Sequence, residues 1–128
     1  RAVSDQLAHG RHVYLDYTGF HPQIEDTATW ILDLLLDAAK ESGVKVVHSH
    51  VEPFDGVESP AGFAAVVLID ESHITAHSYK EKGWLAIDAF TCGEHDPNDI
   101  ADRLHMSLQY SCPNLELKAR RCVDRFLN

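Results

Sequence analysis

The chain has 128 residues, and 20 acidic against 11 basic side chains leave a net charge of −9. That balance excludes nucleic acid as the main partner, since binding phosphates needs a basic surface; it is compatible with a cationic small molecule. The length and the 45% hydrophobic content imply one domain with a core of its own, and no apolar run is long enough for a membrane span.

No signal peptide or low-complexity tract is visible, and Arg1 in place of Met implies that the true N-terminus is missing or trimmed. Cys92, Cys112 and Cys122 are an odd set without framework spacing. They read as free thiols in a reducing compartment, hence a cytoplasmic protein.

His12 to Tyr17 reads as a strand, broken by Gly19-Phe20-His21-Pro22. Ile24 to Ser42 reads as a helix. Ile24, Ala28, Ile31, Leu32, Leu35 and Ala39 form its apolar stripe, and Gly43 follows as a terminator. Val44 to Val51 is an expected strand carrying His48 and His50 on one face. That pair has the spacing of two metal ligands but no evident third, so no metal is expected. Glu52 to Gly62, with two Pro and two Gly, reads as a loop.

Phe63 to Ile69 reads as a central strand, apolar on both faces. His73 to Tyr79 and Trp84 to Thr91 form an expected hairpin around Lys80-Glu81-Lys82-Gly83. Pro97 opens a helix through Tyr110 with Ile100, Leu104 and Leu108 inward. Asn114 to Phe126 alternates weakly as a last strand. The sum is an α+β fold: a two-layer α/β sandwich with a mainly antiparallel sheet and helices on one face.

Asp70-Glu71-Ser72-His73 interrupts this pattern. A buried strand normally continues with Val or Ile, so the polar step points to chemistry. If the hairpin turn centres on Glu81-Lys82, Tyr79 faces Trp84, and extending the register brings Glu71 opposite Cys92. Facing Cβ atoms lie roughly 5 Å apart, which places Cys92 beside the Glu71-Ser72 bond. His77 lies five residues beyond Ser72, roughly 16 Å along a regular strand. Either the strand bends or His77 acts elsewhere.

Ile69-Asp70-Glu71-Ser72-His73, His77, Glu81 and Phe90-Thr91-Cys92-Gly93 together resemble the bacterial and archaeal class of S-adenosylmethionine decarboxylase proenzymes. The likeness runs over roughly residues 10 to 110 and includes Gly10-Arg11-His12-Val13. It implies a self-processing enzyme in spermidine (polyamine) biosynthesis. Ser72 would attack the carbonyl of Glu71, and elimination and hydrolysis would leave a pyruvoyl group. Residues 1–71 would become a β chain and residues 72–128 an α chain. The ketone would form a Schiff base with the substrate amine and withdraw electrons as CO₂ leaves.

The resemblance further implies that Cys92 donates the proton, that His77 serves processing, that Glu81 binds the ribose hydroxyls, that Tyr79 stands at an aromatic position, and that a homodimer is the working form. Two positions depart from the pattern. Ala64 stands where the family has a Ser that assists processing. Glu58 stands where a Phe stacks on adenine, and a carboxylate suits a cationic tail instead; Phe54 or Phe63 would supply a ring if the loop aligns with a gap. Two alternatives follow: a pyruvoyl-dependent decarboxylase of a basic amino acid such as ornithine or arginine, or an unprocessed, inactive homologue that acts by binding.

Overall fold

The computed structural model describes residues 9–127. Strand β1 (Gly10–Thr18) precedes helix α1 (Thr27–Glu41). Four strands follow, β2 (His48–Phe54), β3 (Gly62–Ile69), β4 (Ser72–Tyr79) and β5 (Trp84–Cys92). Helix α2 (Pro97–Ser111) and strand β6 (Glu116–Arg125) complete the chain. The sheet order is β2-β3-β4-β5-β1-β6, and every pairing is antiparallel. Both helices pack on one face, giving the expected two-layer α+β sandwich.

The alternation of each strand builds that layer. Val13, Leu15 and Tyr17 of β1, Phe63, Ala65, Val67 and Ile69 of β3, Ile74 and Ala76 of β4, and Leu85, Ile87 and Ala89 of β5 are buried towards the helices. Ile31 and Leu35 of α1 and Ile100, Leu104 and Leu108 of α2 meet them. The Tyr17 hydroxyl bonds His105 Nδ1 at 2.8 Å, tying α2 to the sheet, and burial pushes the Tyr17 phenol up despite the nearby Arg120.

Three boundaries move for physical reasons. Helix α1 starts at Thr27, not Ile24, because the Asp26 carboxylate caps it, accepting from the Thr29 N–H at 3.1 Å and from Thr29 Oγ1 at 2.8 Å. The second strand begins four residues later than expected, since the Val44 N–H still bonds the helix carbonyl of Ala39 at 3.2 Å. It then runs through Pro53 to Phe54. Proline is tolerated there because β2 is an edge strand. The strand from Phe63 is not central but second from the edge, and only one of its faces is buried; Leu68 on the other face is 40% exposed. The hairpin register agrees with the sequence reading, from Tyr79↔Trp84 to His73↔Phe90.

Candidate active site

Asp70 and Glu71 form a two-residue turn between β3 and β4, closed by the Ile69↔Ser72 pair. Such tight turns need positive φ; Asp70 supplies it, at φ 54°, being one of the few residue types that tolerate it. Ser72 is therefore the first residue of a strand whose even-numbered residues, Ser72, Ile74 and Ala76 among them, face the helices, and it is 8% exposed. Its Oγ accepts from the Cys92 N–H at 3.1 Å. The β4–β5 ladder ends at His73↔Phe90, and Cys92 itself pairs with Gly10 of β1. Thus Cys92 lies beside the Glu71-Ser72 step, as the register implied, through the serine hydroxyl rather than as a ladder partner of Glu71. A cavity of about 60 Å³ adjoins the step, bordered by Glu71, Ser72, Thr91, Cys92 and His95.

The other sequence candidates lie elsewhere. Strand β4 continues unbroken from Ser72 to Tyr79, so it does not bend to bring His77 back. His77 is exposed on the helix-free face, paired with Ala64. Tyr79, 44% exposed, faces Trp84 at the far end of β4, and Glu81 is exposed in the following turn. Glu58 is exposed in the β2–β3 loop at that same end of the sheet. A larger cavity, about 490 Å³, is also at this end, lined by Phe20, Phe54, Phe63, Ser78 and Lys80 among others. Within one protomer, Ser72, Glu71 and Cys92 come together, while His77, Tyr79, Glu81 and Glu58 do not join them.

One cluster was not legible in the sequence. On the helix-free face, the Asp88 carboxylate lies 2.5 Å from His12 Nε2 and 3.4 Å from His73 Nε2, and it accepts from the Thr75 hydroxyl. Burial raises the Asp88 pKa, but the hydrogen bonds from His73, Thr75 and His12 outweigh it and hold the carboxyl well below the usual range. The hairpin register alone would have paired Thr75 with Asp88; His12 arrives only through the long-range β1–β5 pairing. His12, His73 and Asp88 offer a metal-compatible donor set. Arg125 Nη1, however, stands 3.4 Å from His12 Nδ1. Arginine only donates, so Nδ1 accepts and Nε2 carries the proton towards Asp88. The arrangement is a hydrogen-bonded network. His50, of the pair weighed as ligands, instead bonds Glu52 at 3.0 Å.

A family model described as S-adenosylmethionine decarboxylase matches residues 11–120. The chain belongs to that family. Among relatives of this S-adenosylmethionine decarboxylase family member, the S-adenosylmethionine decarboxylase proenzyme of Pyrococcus horikoshii is 37% identical over 94 residues, covering 73% of this chain and 65% of that protein. The corresponding proenzyme of Thermodesulfovibrio yellowstonii is 34% identical over 115 residues, covering 90% of this chain and 78% of that one. The chain thus spans just under two thirds of the Pyrococcus relative's length. The crystal structure of the adenosylmethionine decarboxylase from Aquifex aeolicus VF5 superposes with a TM-score of 0.68 at 26% identity, over 95% of this chain and 94% of that one. The resemblance read from the linked motifs and the α+β sandwich expected from the order of strands and helices both stand. Among the described residues no helix is long and apolar enough to cross a membrane.

Proposed function

We propose that this chain is a pyruvoyl-dependent S-adenosylmethionine decarboxylase that cuts itself between Glu71 and Ser72, leaving residues 1–71 as a β chain and 72–128 as an α chain. The observation that carries the reading is the Ser72 hydroxyl, buried beside a turn with positive φ at Asp70 and held by the Cys92 N–H at 3.1 Å. The residues fit a serine-derived pyruvoyl group, because a small cavity already adjoins Ser72 and Cys92 borders it. When formed, that group withdraws electrons from the bound substrate as CO₂ departs. Cys92 is half-buried at the cavity wall, which supports its reading as the residue that hands a proton to the substrate carbon. The product is an aminopropyl donor for spermidine synthesis.

His77, Tyr79 and Glu81 act from a second copy of the chain. Tyr14, Leu68, Tyr79, Trp84 and Val123 are all more than a third exposed, and their pairings put all of them on the helix-free face. A large exposed apolar face of this kind marks an interaction surface, and a two-fold dimer buries the same face of both chains. An antiparallel approach would bring the His77 end of one sheet to the exposed Asp70-Glu71 turn at the Ser72 end of the other, although the Ser72 hydroxyl itself faces the helices. The three free cysteines are in keeping with a reducing cytoplasm. Glu58 is exposed and takes no part in the Ser72 cavity; in this reading its carboxylate meets the cationic end of a substrate carried by the second copy.

Intact mass of the purified protein tests the cleavage: two chains are expected, and Ser72→Ala should leave one. Persistent cutting of Ser72→Ala would move the site. Release of CO₂ from S-adenosylmethionine, ornithine and arginine side by side tests the substrate, and turnover of the amino acids alone would overturn it.

A further inference from the structure

We propose that His95 carries the first proton transfer of self-cleavage at Ser72, within the same protomer; this rests on the cleavage reading above. The Ser72 Oγ accepts from the Cys92 N–H, and among the described residues its own proton has no acceptor. The hydroxyl must lose that proton to become a nucleophile. His73, the next residue, turns to the opposite face of the sheet and is committed to Asp88. His12 is committed to the same carboxylate. His77 is exposed at the other end of β4. His95 is the one histidine among the described residues that borders the Ser72 cavity.

The loop that carries His95 is fixed at both ends. The Thr91 hydroxyl, in a residue 2% exposed, donates to the His95 carbonyl at 2.8 Å. Asp96, the next residue, caps α2 by accepting from the Asn98 N–H at 2.9 Å and is held by Arg11 at 3.2 Å. The backbone is thereby pinned while the imidazole is exposed and free of hydrogen bonds among the described residues. An imidazole both takes and gives a proton near neutral pH. The carboxylates of Asp70 and Glu71 also border the cavity, but ionised carboxylates are weaker bases at that pH.

The step balances as follows. The Ser72 Oγ–H bond breaks and its proton passes to the His95 ring. The Oγ–C bond to the Glu71 carbonyl forms, the Glu71–Ser72 C–N bond breaks, and the imidazolium returns the proton to the Ser72 nitrogen. An ester with a free amine results. Loss of the Ser72 Cα proton then expels the Glu71 carboxylate, and water replaces the nitrogen, which leaves as ammonia. His95 is assigned the relay of this one proton from the Ser72 hydroxyl to the Ser72 nitrogen, and no part of the elimination.

The test is a cleavage time course of freshly made full-length chain, followed by denaturing gel and intact mass. His95→Ala should cut at least roughly tenfold more slowly, in line with the usual loss on removing a general base, and added imidazole should restore the rate while the melting temperature stays at the wild-type value. His95→Ala cutting at the wild-type rate would overturn the assignment, as would a slow variant that imidazole does not speed. If the wild-type chain never cuts, self-processing itself fails and this role fails with it; if the wild-type cuts and His95→Ala keeps pace, only the role of His95 fails.

Discussion

Ser72→Ala removes the proposed nucleophile, and His77→Ala removes an imidazole that stands five residues away on an unbroken strand. At ~3.3 Å per residue the two groups are about 16 Å apart, several times the reach of a hydrogen bond. In a two-fold dimer the intact Ser72 of a His77→Ala chain meets the intact His77 of a Ser72→Ala chain, and the second site of that dimer carries both defects. Neither variant alone should be cut. Equal co-expression with random pairing puts about half of the His77→Ala chains into mixed dimers, so about half of those chains should be cut and about a quarter of the wild-type number of sites should form. Chains made distinguishable by a mass tag allow the cut fraction to be counted by intact mass, and CO₂ release reads the sites. Two inert parents that stay inert when co-expressed would refute the second-copy arrangement. A His77→Ala chain that is cut at full rate by itself would show that His77 has no part in processing.

Asp88→Asn should lower stability by about 1–2 kcal/mol near neutral pH, the worth of charge-assisted hydrogen bonds discounted for partial exposure. The folded Asp88 pKa is depressed, so its stabilisation is present above the unfolded carboxyl value of about 4 and is lost as pH falls towards the folded value. Urea midpoints should therefore show the deficit of Asp88→Asn shrinking on acidification; a deficit constant down to about pH 2 would contradict the assignment. Leu35→Ala, at a fully buried position, should cost about 3 kcal/mol in the same assay. Leu68→Ala, at a position 40% exposed on the helix-free face, should cost under about 1 kcal/mol in folding but raise the concentration at which the proposed dimer dissociates in sedimentation. Equal folding costs at the two positions would mean that Leu68 is packed within the protomer.

The sequence by itself determined what is local. The spacing of Ile31, Leu35 and Ala39 follows helical periodicity, and the Tyr79↔Trp84 register follows from a short turn, because both depend on neighbours in the chain. The register also sufficed to bring Cys92 to Ser72 across twenty residues of sequence. The identity of the family was carried by linked spacings, Glu71-Ser72-His73, His77 and Thr91-Cys92-Gly93, which fix groups on two adjacent strands.

The tertiary structure decided what depends on non-local pairing and on which face is covered. Only the insertion of β1 between β5 and β6 brings His12 to Asp88. Only the stacking of both helices on one face leaves Leu68, Tyr79 and Trp84 exposed, so that a strand apolar on both sides has one side open. The sequence left His77 either on a bent strand or acting elsewhere; β4 is straight, because its ladders to β3 and β5 are continuous. His95, in a loop without periodicity or motif, gains a place beside Ser72 only when the ends of β4 and β5 meet.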